Sequence, residues 1–152
     1  MFLGEDRESY RKAFAEAWRK ARAGEPLEPL ERIIADVVAE HPEYHRVIGQ
    51  GERALQREYL PETGETNPFL HMGLHIALRE QVSVDRPAGI RGIHASLARV
   101  LGGEMEAEHR MMDCLAETLW QAQRQGTMPD EHAYLLCLQE LERKLGVPPG
   151  RG

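Results

Sequence analysis

Apolar residues recur every three or four positions along most of the chain, which is the spacing of amphipathic α-helices. The first such stretch places Tyr10, Phe14, Ala17 and Trp18 on one side of a helix that ends near Gly24. Elsewhere, no segment alternates apolar and polar residues for long enough to indicate a strand. The pattern therefore predicts an all-α fold.

Turn and cap residues divide the rest of the chain into further helices. Pro42 marks the end of the second helix, and Asn67 followed by Pro68 is a start signal for the third. The predicted segments after the first helix are a second helix from Pro29 to His41, a less regular helical stretch at 43–59, a loop at 61–66, and helices three to six at 67–83, 90–101, 104–125 and 129–145. We predict one helical domain over 1–152, a bundle of about six helices with antiparallel neighbours and a frayed tail at 147–152.

Composition narrows the class of protein. The 152 residues are enough for one domain with a sizeable core, and the net charge of −6 disfavours nucleic acid as a partner. The start MFLGEDRES has no basic region or apolar run of a signal peptide, and no stretch approaches the roughly 18 apolar residues of a membrane span. We predict a cytoplasmic, bacterial protein that has no membrane partner and whose two cysteines, Cys114 and Cys137, are reduced.

The most informative residues are histidines at helical spacing. His71 and His75 stand four apart in HMGLH, on the face that also carries Leu74 and Leu78, so both imidazoles are expected to point into the bundle. In the fifth helix, His109 and Asp113 repeat this spacing, flanked by residues predicted to face inward: Met105, Met112, Ala116, Leu119 and Trp120. Helical bundles form metal sites from pairs of this kind on helices that face each other.

We predict that His71, His75, His109 and Asp113 bind one divalent metal ion, with three nitrogens and a carboxylate as ligands. This donor set suits zinc, iron(II), nickel or manganese equally. Glu108 and Glu117 border the second pair as an alternative fourth ligand, a hydrogen-bond acceptor for an imidazole, or a proton acceptor if the site is catalytic. His41 and His45 form a third pair, whose relative orientation Pro42 leaves open.

Other readings of the same residues stay open. A buried His–Asp pair also serves as a polar network that holds two helices in register, in a non-catalytic protein that forms homo-oligomers through its helical faces. A third reading is a sensor that binds a small ligand in the bundle core. Arg79, one turn after His75, is expected in a surface ion pair, with a buried carboxylate or an anionic ligand as the alternatives.

Several familiar sites are absent from the sequence. HMGLH lacks the glutamate of the HExxH protease motif, and Glu106 with His109 forms one ExxH where a ferritin-like di-iron centre needs two. There is no glycine-rich phosphate loop and no Gly-x-Ser-x-Gly elbow, so no nucleotide or organic cofactor is indicated. The sequence identifies no catalytic residue.

Long segments of the chain resemble a known family. ETNPFLHMGLHIALREQ (65–81), EHRMMDCLAETLWQAQR (108–124) and AWRKARAGEPLEPLERIIADVVAEHPEYH (17–45) are similar to the proteobacterial family called domain of unknown function 1841. The resemblance covers nearly the whole chain and implies no activity, and hence no catalytic residues. More distantly, the pattern resembles DinB-like and hemerythrin-like bundles, although the order of its pairs and its ligand series depart from both.

Overall fold

The structure is a computed structural model that describes residues 7–48 and 67–147. Its elements are α1 (Arg7–Ala23), α2 (Pro29–Ala39), a 3-10 turn (Pro42–Tyr44), α3 (His45–Ile48), α4 (Pro68–Val84), α5 (Ile90–Leu101), α6 (Glu104–Gln125) and α7 (Glu131–Lys144). Within these two ranges there is no strand, so the predicted all-α class is confirmed.

The described ranges contain seven α-helices where about six were predicted. The difference is the short α3, which with the 3-10 turn begins the stretch at 43–59 that the sequence marks as less regular. The rest of that stretch from residue 49, the loop at 61–66 and the tail after Val147 lie outside the described residues. Val147 itself is buried, and its N–H donates to the carbonyl of Glu142.

Cap residues end the helices close to where the sequence predicts. The Asn67 side-chain oxygen accepts from the N–H groups of Phe69 and Leu70 at 3.0 and 3.1 Å, which satisfies two of the unpaired donors that begin α4. Gly102 ends α5 with φ +88°, a conformation that glycine adopts without strain. The start of α7 lies at Glu131, two residues beyond the predicted Pro129, because Asp130 is the residue whose carboxylate accepts from the Ala133 N–H.

The helices form two compact units, one up to Ala77 and one from Leu78, and the boundary falls within α4. In the first unit, α1 and α2 pack against each other. The ring of Phe14 meets the ring of Phe69 edge-on at 5.6 Å, and the guanidinium of the buried Arg11 lies 4.6 Å from the centroid of the Phe69 ring. Around them lie the other buried apolar residues of this unit: Ala17, Ile34, Val37, Val38, Ile48, Met72 and Ile76. This core holds the segment that carries the candidate site.

In the second unit, α5, α6 and α7 pack against one another. The buried face of α6 is not the one predicted, because Ala116 and Trp120 are exposed while a different stripe is buried: Ala107, Glu108, Met111, Met112, Cys114, Leu115 and Ala122. The centre of this stripe lies about one residue, or roughly 100°, from the predicted one. The observed stripe combines large apolar side chains, such as Met111 and Leu115, with small residues and one charged residue.

The charged residue in that stripe is Glu108, whose carboxylate accepts from the Arg79 guanidinium through Nε at 3.0 Å and Nη2 at 3.2 Å. Its side chain is 5% exposed and that of Arg79 is 21% exposed. The expected surface ion pair for Arg79 is therefore wrong, and the alternative of a buried carboxylate is confirmed. Nearby, the hydroxyl of the buried Tyr134 donates to the Gln81 side chain at 2.7 Å, and its burial raises the pKa of the phenol.

The prediction that both cysteines are reduced is wrong for this structure. Cys114 on α6 and Cys137 on α7 form a disulfide with a Cα–Cα distance of 5.8 Å, which lies within the usual range. The prediction rested on the small number of cysteines and on the absence of a CxxC pair. Neither observation tells how far apart the two cysteines lie in the fold. The packing of α6 against α7 brings these residues, 23 positions apart in the sequence, into contact.

Replacing both cysteines with alanine is expected to lower the free energy of unfolding by about 3 kcal/mol, since a loop of this length is no longer closed in the unfolded chain. Urea unfolding of the double variant and of the oxidised parent checks this. Chemical reduction of the parent is the matched comparison and is expected to give the same loss. A change below about 1 kcal/mol in both would contradict the prediction.

In the ranges 7–48 and 67–147, no helix is both long and apolar enough to cross a membrane.

Candidate metal centre

The first part of α4 carries two histidines on one side. His71 and His75 are one helical turn apart, and their ring centroids lie 4.9 Å from each other. His75 is completely buried and His71 is half-buried. The predicted pairing of these two residues on an inward face is thus present in the structure.

His41 joins this pair from another element of the same unit. It lies between the end of α2 and the 3-10 turn, and its ring centroid is 5.2 Å from that of His71 and 4.9 Å from that of His75. Like His75, it is buried. The orientation that Pro42 left open from the sequence is therefore resolved in favour of His41.

The three imidazoles are close enough to share one ion. A ligand nitrogen of each lies within 4.8 Å of the others. Two imidazole nitrogens that bind the same tetrahedral ion at about 2.0–2.1 Å are about 3.3 Å apart. Side-chain rotations that bring the ligand nitrogens closer together by up to about 1.5 Å close this difference. The donor set of three imidazoles suits zinc, iron(II) or nickel.

A hydrogen bond fixes which nitrogen of His41 is available. Its Nδ1 lies 2.7 Å from the carbonyl oxygen of Val37. A carbonyl can only accept, so Nδ1 carries the proton and donates, and Nε2 of the neutral ring keeps its lone pair. Imidazoles that bind metals are held in this way, with one N–H donated to a protein oxygen and the other nitrogen on the ion.

His45 has a different environment from His41. Its Nε2 donates to the carbonyl oxygen of Val38 at 2.7 Å, and its ring lies against Trp18 with centroids 4.6 Å apart. It is not among the histidines whose nitrogens converge. In the neutral form of His45, Nδ1 holds the lone pair. The ring contacts Val38 near the end of α2 and Trp18 on α1.

Tyr44 provides the aromatic wall of the cluster. Its ring stacks on His41 with centroids 5.8 Å apart and meets His71 edge-on at 6.2 Å. Partial burial, followed by the charge of Glu43, raises the pKa of its hydroxyl. The phenol is therefore neutral and can act as a hydrogen-bond donor near the cluster at ordinary pH.

The second predicted pair lies on α6. His109 and Asp113 are both exposed residues of that helix, because the buried stripe is rotated away from them. Their exposure differs from the buried environment that the flanking residues predicted, and their assignment as metal ligands stays a prediction from spacing. Of the alternative carboxylates, Glu108 is engaged by Arg79, and Glu117 is exposed and accepts from the Gln121 side chain at 3.0 Å.

The fold and this cluster define an all-helical protein with three converging, largely buried histidines. The family model described as domain of unknown function (DUF1841) matches residues 6–140, and the chain belongs to that family. No curated protein and no solved structure matches the chain. The family description names no activity.

Proposed function

We propose that the protein binds one divalent transition-metal ion through His41, His71 and His75. The observation that carries this proposal is the convergence of three imidazole nitrogens within 4.8 Å at a place where two of the three residues are buried. The hydrogen bond from Nδ1 of His41 to a backbone carbonyl orients that ring in the way that metal-binding imidazoles are oriented.

The electrostatics of the cluster support a metal ion with a further ligand. Three neutral imidazoles do not compensate the charge of a divalent ion, so an anion or a water molecule that loses a proton is expected to complete the coordination. The sequence-based assignment of Asp113 and His109 to this role stays part of the proposal. An ion with an exchangeable position would supply Lewis-acid chemistry or bind a small anion.

The direct test is metal content measured by elemental analysis on protein purified without a histidine tag. We expect close to one equivalent of metal per chain, and less than about a tenth of that in His71→Ala. The parent is expected to melt about 5–10 °C higher than after treatment with a chelator, because an ion that binds only the folded state at well above its Kd contributes about 3 kcal/mol.

A matched pair of variants makes the test specific. His41→Gln is expected to lose the metal, whereas His45→Gln keeps it, although both residues lie in the same short segment and both donate to a carbonyl of α2. His109→Ala and Asp113→Asn test the predicted further ligands. The proposal is refuted if the protein is metal-free and stays so after incubation with zinc, iron(II), nickel and manganese, or if His41→Gln retains its metal while folded.

The alternative function is a polar network that fixes the positions of the helices without a metal. The bonds from His41 and His45 to the last carbonyls of α2 favour it. It predicts that His71→Ala lowers the melting temperature equally with and without chelator, and that no metal is found in the parent.

A further inference from the structure

The disulfide between α6 and α7 opens onto a cavity. A space of about 240 Å³ lies in the second unit, and its walls include both Cys114 and Cys137. Cys114 is buried, whereas Cys137 is an exposed residue. Gln125, Thr127 and Met128, which also line the cavity, are exposed, so the cavity is accessible from solvent.

The walls of the cavity combine apolar and polar side chains, and the charged residues among them are acidic. Thr118 and Gln121 line it together with the carboxylates of Glu117 and Asp130, and its described lining contains no lysine, arginine or histidine. Both carboxylates belong to exposed residues. The volume is below the roughly 300–1,000 Å³ of pockets for drug-sized ligands. The space therefore fits a small molecule, and the charge favours a cation.

We propose that this cavity is an exchange site for small aminothiols, compounds that carry an ammonium group beside a thiol. The thiolate of the small molecule attacks Sγ of Cys137, which belongs to the exposed cysteine, and a new disulfide forms between them. The bond between the two protein sulfurs breaks, and its electron pair leaves on Sγ of Cys114, which takes a proton from solvent. A second thiol that attacks the mixed disulfide releases the small molecule as its own disulfide and leaves two protein thiols.

The structure gives two reasons for this selectivity. Access decides which sulfur is attacked, because Cys114 is covered within the α6 stripe and Cys137 is not. Charge decides which thiol reacts fastest, because the ammonium group approaches two carboxylates that an anionic thiol would meet with repulsion. The proposal concerns residues of the second unit and does not rest on the metal site.

The test uses the oxidised full-length protein with three thiols of similar size: 2-aminoethanethiol, 2-mercaptoethanol and mercaptoacetate. The reaction is stopped with excess iodoacetamide, which caps the released sulfur, and peptide mass mapping locates the adduct. We expect the small thiol on Cys137 and the cap on Cys114, in at least about tenfold excess over the reverse arrangement. Each rate is divided by that of the same thiol with a small model disulfide, which removes differences in intrinsic reactivity.

After this normalisation, the aminothiol is expected to react about three- to fivefold faster than the anionic thiol, and the difference is expected to vanish in about 1 M salt. The double variant Glu117→Gln, Asp130→Asn is expected to lose the difference and keep the attack on Cys137. Asparagine still caps α7, so this variant is expected to fold. Glu131→Gln is the matched control, because Glu131 is the next residue along the chain and does not line the cavity.

The proposal is overturned if the native protein contains two free thiols, if the adduct is found equally on both cysteines, or if the oxidised protein does not react. It is also overturned if the charge preference survives in the double variant.

Discussion

Replacing Arg79 with methionine is expected to lower the free energy of unfolding by about 3–5 kcal/mol. The physical reason is the carboxylate that remains. Glu108 is almost fully buried, and in the variant its charge would have lost the guanidinium that donates to both of its oxygens. Taking a charge out of water costs several kcal/mol when no partner compensates it.

The two partners of this ion pair differ in burial, so their substitutions are expected to differ in cost. Arg79 is more exposed than Glu108 and its long side chain can turn toward water, so Glu108→Gln is expected to cost less than Arg79→Met. The double variant Arg79→Met, Glu108→Leu removes the buried charge and is expected to recover most of the loss.

Urea unfolding of the four proteins measures these differences. Arg143→Met is the matched control, since Arg143 forms an ion pair with Glu140 in which both side chains are exposed, and its loss is expected to cost less than about 1 kcal/mol. A cost below about 1 kcal/mol for Arg79→Met would show that the charge of Glu108 is compensated in another way.

Phe14→Ala is the second change with a large expected effect, again about 3–5 kcal/mol. Phe14 is 0% exposed and its ring meets Phe69 edge-on, so the variant loses both the buried area and an aromatic pair. It also leaves a cavity in the core that supports His71 and His75. We therefore expect weaker metal binding in this variant as a second consequence.

Leu70→Ala is the control for Phe14→Ala, because Leu70 lies on α4 next to Phe69 and is 48% exposed. It is expected to cost less than about 1 kcal/mol. Thermal or urea unfolding of both variants gives the comparison. Equal losses of unfolding free energy in the two variants would contradict the burial of Phe14.

The sequence predicts the helices well because their limits depend on local chemistry. The cap at Asn67, the left-handed glycine at Gly102 and the helix-ending Pro42 act within a few residues of where they stand. No long-range information is needed for such positions. The all-α class and the bounds of α4, α5 and α6 follow from them.

The rotation of α6 could not be predicted in the same way. It depends on which residues the neighbouring helices offer, and here Arg79 pairs with Glu108 while Cys137 bonds to Cys114. A pattern that ranks positions by apolar size assigns Trp120 to the core, whereas the ring is half-exposed and lies 4.6 Å from the guanidinium of Arg124.

The candidate site was predicted in part. The spacing of His71 and His75 is a property of one helix, so the sequence contains it. Whether His41 contributes to the site depends on the path of the chain after the end of α2. Because Pro42 interrupts the helix, the spacing of four between His41 and His45 does not tell where each ring points. The convergence of the His41 ring with those of His71 and His75 is the signal that distinguishes His41 from His45 as a ligand, and it is visible only in three dimensions.

The way α2 ends has a further consequence. An uninterrupted helix would use the carbonyl of Val38 for the backbone N–H of residue 42, but proline has none. That oxygen instead accepts from the backbone of His41 and from the ring of His45, and the neighbouring carbonyl of Val37 accepts from the ring of His41. Ending the helix and selecting the imidazole tautomers are thus one structural event. A substitution at residue 42 that lengthened α2 would therefore change the hydrogen bonds of the His41 and His45 rings without replacing any histidine.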